Sequence, residues 1–131
     1  MNVFIAHNKG ESPNRIAEVS AWAQTCVPGS VVTTGEQEWA ARFAQAGGWA
    51  AWTRDVGAGT DLDGRPRYAV IVVPSRVVGR ATAQIINAAL GAGKIVVFYD
   101  APTGRASSVV RVDETDEESW KAGYTVVTSD L

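Results

Sequence analysis

The chain has 131 residues, a mass of 13.9 kDa and a formal charge of −2. Its 46% apolar and 20% charged content excludes wholesale disorder and fits one domain over residues 1–131. A pI near 5.3 argues against a protein built mainly to grip nucleic acid, and one cysteine and one histidine exclude an internal disulfide and the common zinc ligand sets.

Val3 to Ala6 is a short apolar run broken by His7-Asn8-Lys9-Gly10, a strand followed by a turn. Ser12 caps a helix with Pro13 in its first turn, where no amide donor is needed. Ile16, Val19, Ala23 and Cys26 recur on one face, with Cys26 expected as a small core residue, and Pro28-Gly29 ends the helix. Val31 to Thr34 is a weaker second strand. Glu36 to Val56 reads as helix with an apolar stripe through Trp39, Phe43, Ala46 and Ala50, which Gly47-Gly48 kinks or splits. Gly57 to Pro66 reads as loop.

Tyr68 to Val73 is the clearest strand, continuously apolar and β-branched, as where both faces of a parallel sheet are covered. Gly79 to Leu90 is a helix with Ala83, Ile86, Ala89 and Leu90 inward, ended by Gly91-Ala92-Gly93. Ile95 to Tyr99 is the next buried strand, closed by Asp100. Val109 to Val112 and Tyr124 to Val127 read as edge strands or a terminal hairpin, flanking five carboxylates between Asp113 and Glu118 that read as a solvated turn. No apolar run approaches the roughly 20 residues of a membrane span, and the first residues lack a signal peptide's basic and apolar regions. The expectation is a cytoplasmic protein with no membrane contact.

The alternation of strands and helices predicts one doubly wound, mostly parallel α/β sheet of four to five strands, ordered near 2-1-3-4-5. Ligands of such sheets bind at the carboxyl ends of the strands. That rim gathers His7, Asn8, Lys9, Gly10, Ser75, Gly79, Arg80, Thr82 and Asp100 as candidate ligand-binding residues. Arg65 and Arg67 precede their strand and belong to the opposite rim. Free amides at the Gly79 to Thr82 helix start, with Arg80 and Thr82, suit an anion. His7 and Asp100 are the candidate catalytic residues, since an imidazole titrates near neutrality and a carboxylate can hold a water or a hydroxyl. Five tryptophans are many for this length, and Trp39, Trp49 and Trp52 fit either a homodimer contact or a stacking surface. No metal and no cofactor is expected.

The stretch from Ser75 to Val97 resembles the nucleoside 2-deoxyribosyltransferase-like group and the related lysine-decarboxylase-like families of Rossmann-like nucleotide-binding proteins. A buried strand runs into Thr82-Ala83 at the helix start. Ala89 is the inward alanine, and Gly93-Lys94 leads into the next strand. Val3 to Ala6 also looks like that group's first strand. The resemblance implies a Rossmann-like or flavodoxin-like fold and a nucleotide-like ligand. It does not carry over the reaction. The transferases place a nucleophilic glutamate two residues after Thr-Ala, where this chain has Ile85, and a slip of one residue gives only Gln84. The same lack separates it from TIR-type NAD hydrolases. Three functions follow as expectations: a nucleotide- or nucleoside-binding protein without transferase activity, a hydrolase of N-glycosidic or phosphoester bonds using Asp100 or His7, or a protein-interaction module.

Overall fold

The structure is a computed structural model, and it describes residues 1–114 and 123–129. In chain order the elements are β1 (Asn2–Ile5), α1 (Pro13–Cys26), β2 (Val31–Thr34), α2 (Gly35–Ala46), α3 (Trp49–Ala58), β3 (Val70–Val73), β4 (Val77–Val78), α4 (Arg80–Gly91), β5 (Ile95–Asp100), β6 (Arg105–Glu114) and β7 (Tyr124–Thr128). Of the acidic run Asp113 to Glu118, residues 115–118 lie outside the described residues.

The fold is α/β, but the expected four-to-five-stranded, mostly parallel, doubly wound sheet does not form. Among the described residues the sheet has seven strands in the order β2-β1-β3-β5-β6-β7-β4. Only β2, β1, β3 and β5 run parallel, while β6, β7 and β4 add antiparallel. The cause lies in the turn after β5. Thr103 and Gly104 both donate backbone N–H to Asp100 O, at 3.2 and 2.8 Å, and Gly104 takes φ 70°. So tight a turn reverses the chain, whereas a parallel return needs a crossover of a dozen or more residues. Val77–Val78, between the expected strand ending at Val73 and the helix from Gly79, pairs with β7 as a further strand.

Helices cover the two faces unequally. Strand alternation turns Val3, Ile5 and Val72 toward Val19 and Ala23 of α1. The opposite residues Phe4, Ala6, Ile71, Val73, Val96 and Phe98 face α3 and α4 and form the larger core. Val78, Val109 and Val126 of the antiparallel strands join that same core. Ser12 caps α1 by accepting from the Arg15 amide, and Pro13 fills the first turn. Cys26, expected inside, is exposed at the end of α1, where the inward residues are Val19 and Ala23.

The long helix expected from Glu36 to Val56 is two helices. Gly47 and Gly48 take φ 88° and 113°, values that side-chain-bearing residues rarely adopt, so the chain turns there. Gly57, read as the start of a loop, stays inside α3 because it is the contact point with α4. A Cβ there would lie 2.5 Å from Ile85 O and 2.7 Å from Ala88 Cβ. Among the described residues no helix is long and apolar enough to cross a membrane.

Gly57→Ala should therefore lower stability by about 2 kcal/mol, the range of an overpacked core. Gly91→Ala, where an added Cβ meets nothing within 4 Å, should leave stability equal or raise it slightly. Denaturant melts of the two variants test this, and equal effects would contradict the close α3–α4 contact.

Candidate functional site

A cavity of about 550 Å³ opens at the carboxyl ends of β1 and β2. Phe4, Ala6, His7 and Lys9 come from β1 and the loop after it. Gly35, Glu36 and Trp39 come from α2, Trp49 and Trp52 from α3, and Ala81, Thr82 and Ile85 from α4. Phe4 and Ala6 reach it because β1 alternates, sending Val3 and Ile5 to the other face. The first turn of α2 reaches it because the helix starts directly after β2. Thr34 and Gln37 form a reciprocal capping box there.

His7 is held by backbone on both sides of its ring. Nδ1 lies 2.9 Å from Asn8 O, and Nε2 accepts the Glu36 N–H at 3.2 Å. A carbonyl can only accept and an amide can only donate, so the partners assign the neutral ring with its proton on Nδ1. Gly35 leaves the room: a Cβ there would stand 3.3 Å from Nε2. In this arrangement His7 positions the start of α2 and has no ring nitrogen free for proton transfer.

Asn8 performs a second coupling. Its Nδ2 donates to Val77 O at 2.9 Å, and its Oδ1 accepts the Gly79 N–H at 3.0 Å. The far end of the sheet thus returns to the loop after β1. Thr82 Oγ1 stands 3.4 Å from His7 O, at the edge of bonding distance.

Among the residues expected at the site, His7, Lys9 and Thr82 line the cavity together. The others lie around it or away from it. Asn8 is a brace, and Gly10 is exposed beyond Lys9. Gly79 is the N-cap of α4 with its amide already given to Asn8, and Arg80 is exposed at the next position. Ser75 donates its hydroxyl to the Glu11 carboxylate in the loop before α1. Asp100 is two strands from β1 and accepts the Thr103 hydroxyl at 2.7 Å in the β5–β6 turn. Arg67 sits at the opposite rim, where its carbonyl is 3.4 Å from Asn2 Nδ2. Sequence reasoning did not bring Glu36 to the site, and it reached Ile85 only as the position where the resembling transferases carry their nucleophile. The density of tryptophan was the signal available for Trp39, Trp49 and Trp52. Among the described residues no three His, Cys, Asp or Glu side chains gather as metal ligands.

The aromatic wall is one connected group. Phe43 packs on Trp39, Trp49 and Trp52, with ring centroids 5.3, 4.5 and 5.9 Å apart. What turns Trp39 to this wall is a buried carboxylate one residue earlier. Glu38 is only 4% exposed. It accepts from the Tyr68 hydroxyl of the strand region and pairs with Arg42 one helical turn on. Arg42 also pairs with Asp55 of α3, and Asp55 lies 3.2 Å from Arg67 Nε. Burial would lower the pKa of the Arg42 guanidinium, but its bonds to Asp55 and Glu38 outweigh that and raise it. Burial, then the bond to Glu38, hold the Tyr68 phenol well above its ordinary value of 10.0.

Compared with protein-family models, curated proteins and solved structures, the chain matches none.

The raised phenol fixes the sign of an alkaline effect. Its contribution to stability is whole below pH 10.0 and is lost as the pH rises from there toward the folded-state value, because the unfolded chain then releases the proton first. Tyr68→Phe should cost about 2 kcal/mol at neutral pH, the worth of a hydrogen bond to a charged group. It should also flatten the loss of stability above pH 10.0. Denaturant melts across that range check both, and a variant as stable as the wild type at neutral pH would contradict the Glu38 bond.

Proposed function

We propose that the chain binds a small nucleoside or nucleotide derivative in this cavity, base against the tryptophans, and does not transfer its sugar. The observation that carries the reading is one cavity shared by Trp39, Trp49, Trp52, Lys9 and the first turn of α4. Its volume lies in the usual range for small-molecule sites. Flat aromatic walls favour a planar heterocycle. Lys9 and the amides at the start of α4 suit the polar or anionic end of such a ligand. Ile85, 3% exposed on the cavity wall, is apolar where the resembling transferases carry their nucleophile. The hydrolase alternative draws no support from Asp100, held in its turn, or from His7, whose ring nitrogens both meet backbone.

A second reading rests on exposure. Trp39 and Trp49 are 45% and 53% exposed, which favours a homodimer contact through this wall.

Titration with nucleosides, nucleotides, NAD and ADP-ribose, followed by tryptophan fluorescence and melting temperature, tests the first reading. Binding should quench the cavity tryptophans and raise the Tm by mass action. Trp39→Ala should weaken binding about tenfold, the scale of one stacking contact. No response to any compound would overturn the reading. For the second, sedimentation should show a dimer at high micromolar concentration that Trp49→Ala dissociates, and a wild-type monomer would remove it.

A further inference from the structure

The two faces of the sheet differ most at β5, β6 and β7. A crossover between parallel strands brings a helix that covers the sheet, and a tight turn brings none. The chain reverses by such a turn after β5. Among the described residues no helix lies over β5, β6 and β7 on the α1 side, beyond the reach of α1 itself. Yet β5 is composed to be covered on both faces. Val96 and Phe98 enter the larger core, while Ile95, Val97 and Tyr99 alternate to the α1 side, beside Val70 and Val72. There α1 reaches Tyr99 through the stacked ring of Trp22. Ile95 stays 62% exposed.

The next two strands extend this surface. The ladder that pairs Val97 with Ser108 runs on to set Ile95 beside Val110, which is 48% exposed. The register shifts between Val109 and Arg111, and the extra residue turns Val110 and Arg111 to one face. Val109 and Val112, on either side of them, pack in the larger core. Val127, the ladder partner of Arg111, is half-buried. Ile95, Val97, Val110 and Val127 thus form an apolar strip across adjacent strands. Beside it Arg111 Nε donates to Asp113 Oδ1 at 2.9 Å, and both side chains are exposed.

We propose that this face is the contact of a two-fold homodimer, sheet against sheet. Its charge pattern selects a second copy as the occupant. A two-fold axis makes one residue meet a second, and the second meet the first. Arg111 and Asp113 stand at successive outward positions of one strand. The face is therefore its own electrostatic complement: with the axis between them, each meets its opposite on the partner. The apolar strips then pack on each other at the ordinary spacing of stacked sheets, about 10 Å. A net charge of only −2 opposes this little. Three strands about 4.8 Å apart make a narrow footprint, at the small end of stable interfaces, so the dimer dissociates reversibly. The cavity opens on the other face of the sheet and stays free. The contact is distinct from the tryptophan wall and does not rest on the nucleoside reading.

Sedimentation across the micromolar range tests it. The wild-type protein should be a dimer at high micromolar concentration. Val110→Lys should raise the dissociation constant about tenfold or more, because the contact would bury an unpaired charge. Trp49→Ala should leave the dimer intact. Arg111→Asp and Asp113→Arg should each be monomeric, the first with carboxylates facing carboxylates, the second with guanidinium groups facing their like. Mixed in equal amounts, these two variants should associate as a heterodimer, since each face then meets its opposite. Both carry their change on an exposed side chain, and a cooperative melt of each shows that it is folded. A wild-type monomer throughout overturns the inference and leaves the face to a partner of another sequence. A dimer that Trp49→Ala dissociates and Val110→Lys does not belongs to the tryptophan wall and overturns it too. So do folded charge variants that fail to associate when mixed.

Discussion

The burial of Glu38 sets the position of most of what surrounds the cavity. A carboxylate removed from water is costly unless donors and a counter-charge go with it. Tyr68 and Arg42 meet that need and in doing so fix the rotation of α2 about its axis. With positions 38 and 42 turned inward, positions 39 and 43 are rotated sideways by the helical step. Trp39 then reaches the cavity and Phe43 reaches the tryptophans of α3. Arg42 extends the same constraint to α3 through Asp55, so both helices of the aromatic wall answer to one buried charge.

Much of the parallel half of the sheet was legible because its strands are short, apolar and bounded by turn residues. Val3–Ala6, Tyr68–Val73 and Ile95–Tyr99 fall within two residues of β1, β3 and β5 at each end. The antiparallel half was hidden. Its direction depends on the turn between Asp100 and Arg105, where four residues are too few for the crossover a parallel strand needs, and the apolar run that marks the strand in sequence begins only at Val109. The stripe through Trp39, Phe43, Ala46 and Ala50 holds Phe43 and Ala46 against the core but leaves out the most buried residue of α2. Hydrophobic periodicity assigns a carboxylate to the solvent face, and Glu38 is inside because partners distant in sequence receive it.

The candidate site was legible to the extent that strand polarity could reach. It put His7, Lys9 and Thr82 on one rim, and all three line the cavity. It put Ser75 and Asp100 on that rim too, but a rim is several strands wide, and polarity says nothing about position across it. Their side chains are used locally, on Glu11 and Thr103. The helical hairpin of α2 and α3 decides which part of the rim becomes a cavity. That depends on the break at Gly47-Gly48 and on the contact of Gly57 with α4. Neither distance in space could be read along the chain.

The two bonds of Asn8 have a consequence for the order in which the molecule comes together. They join residues 69 and 71 positions apart. The amide of Ala6 likewise waits for Val72 O, 2.8 Å away in the finished fold. The opening strand can therefore leave a ribosome long before its permanent neighbour on one side exists. Closing so long a loop is an entropic cost met late, after the intervening helices have formed. Phe4 and Ala6 of the cavity wall are made well before the residues of α3 and α4 that face them, and their side of the cavity is among the last parts to be completed.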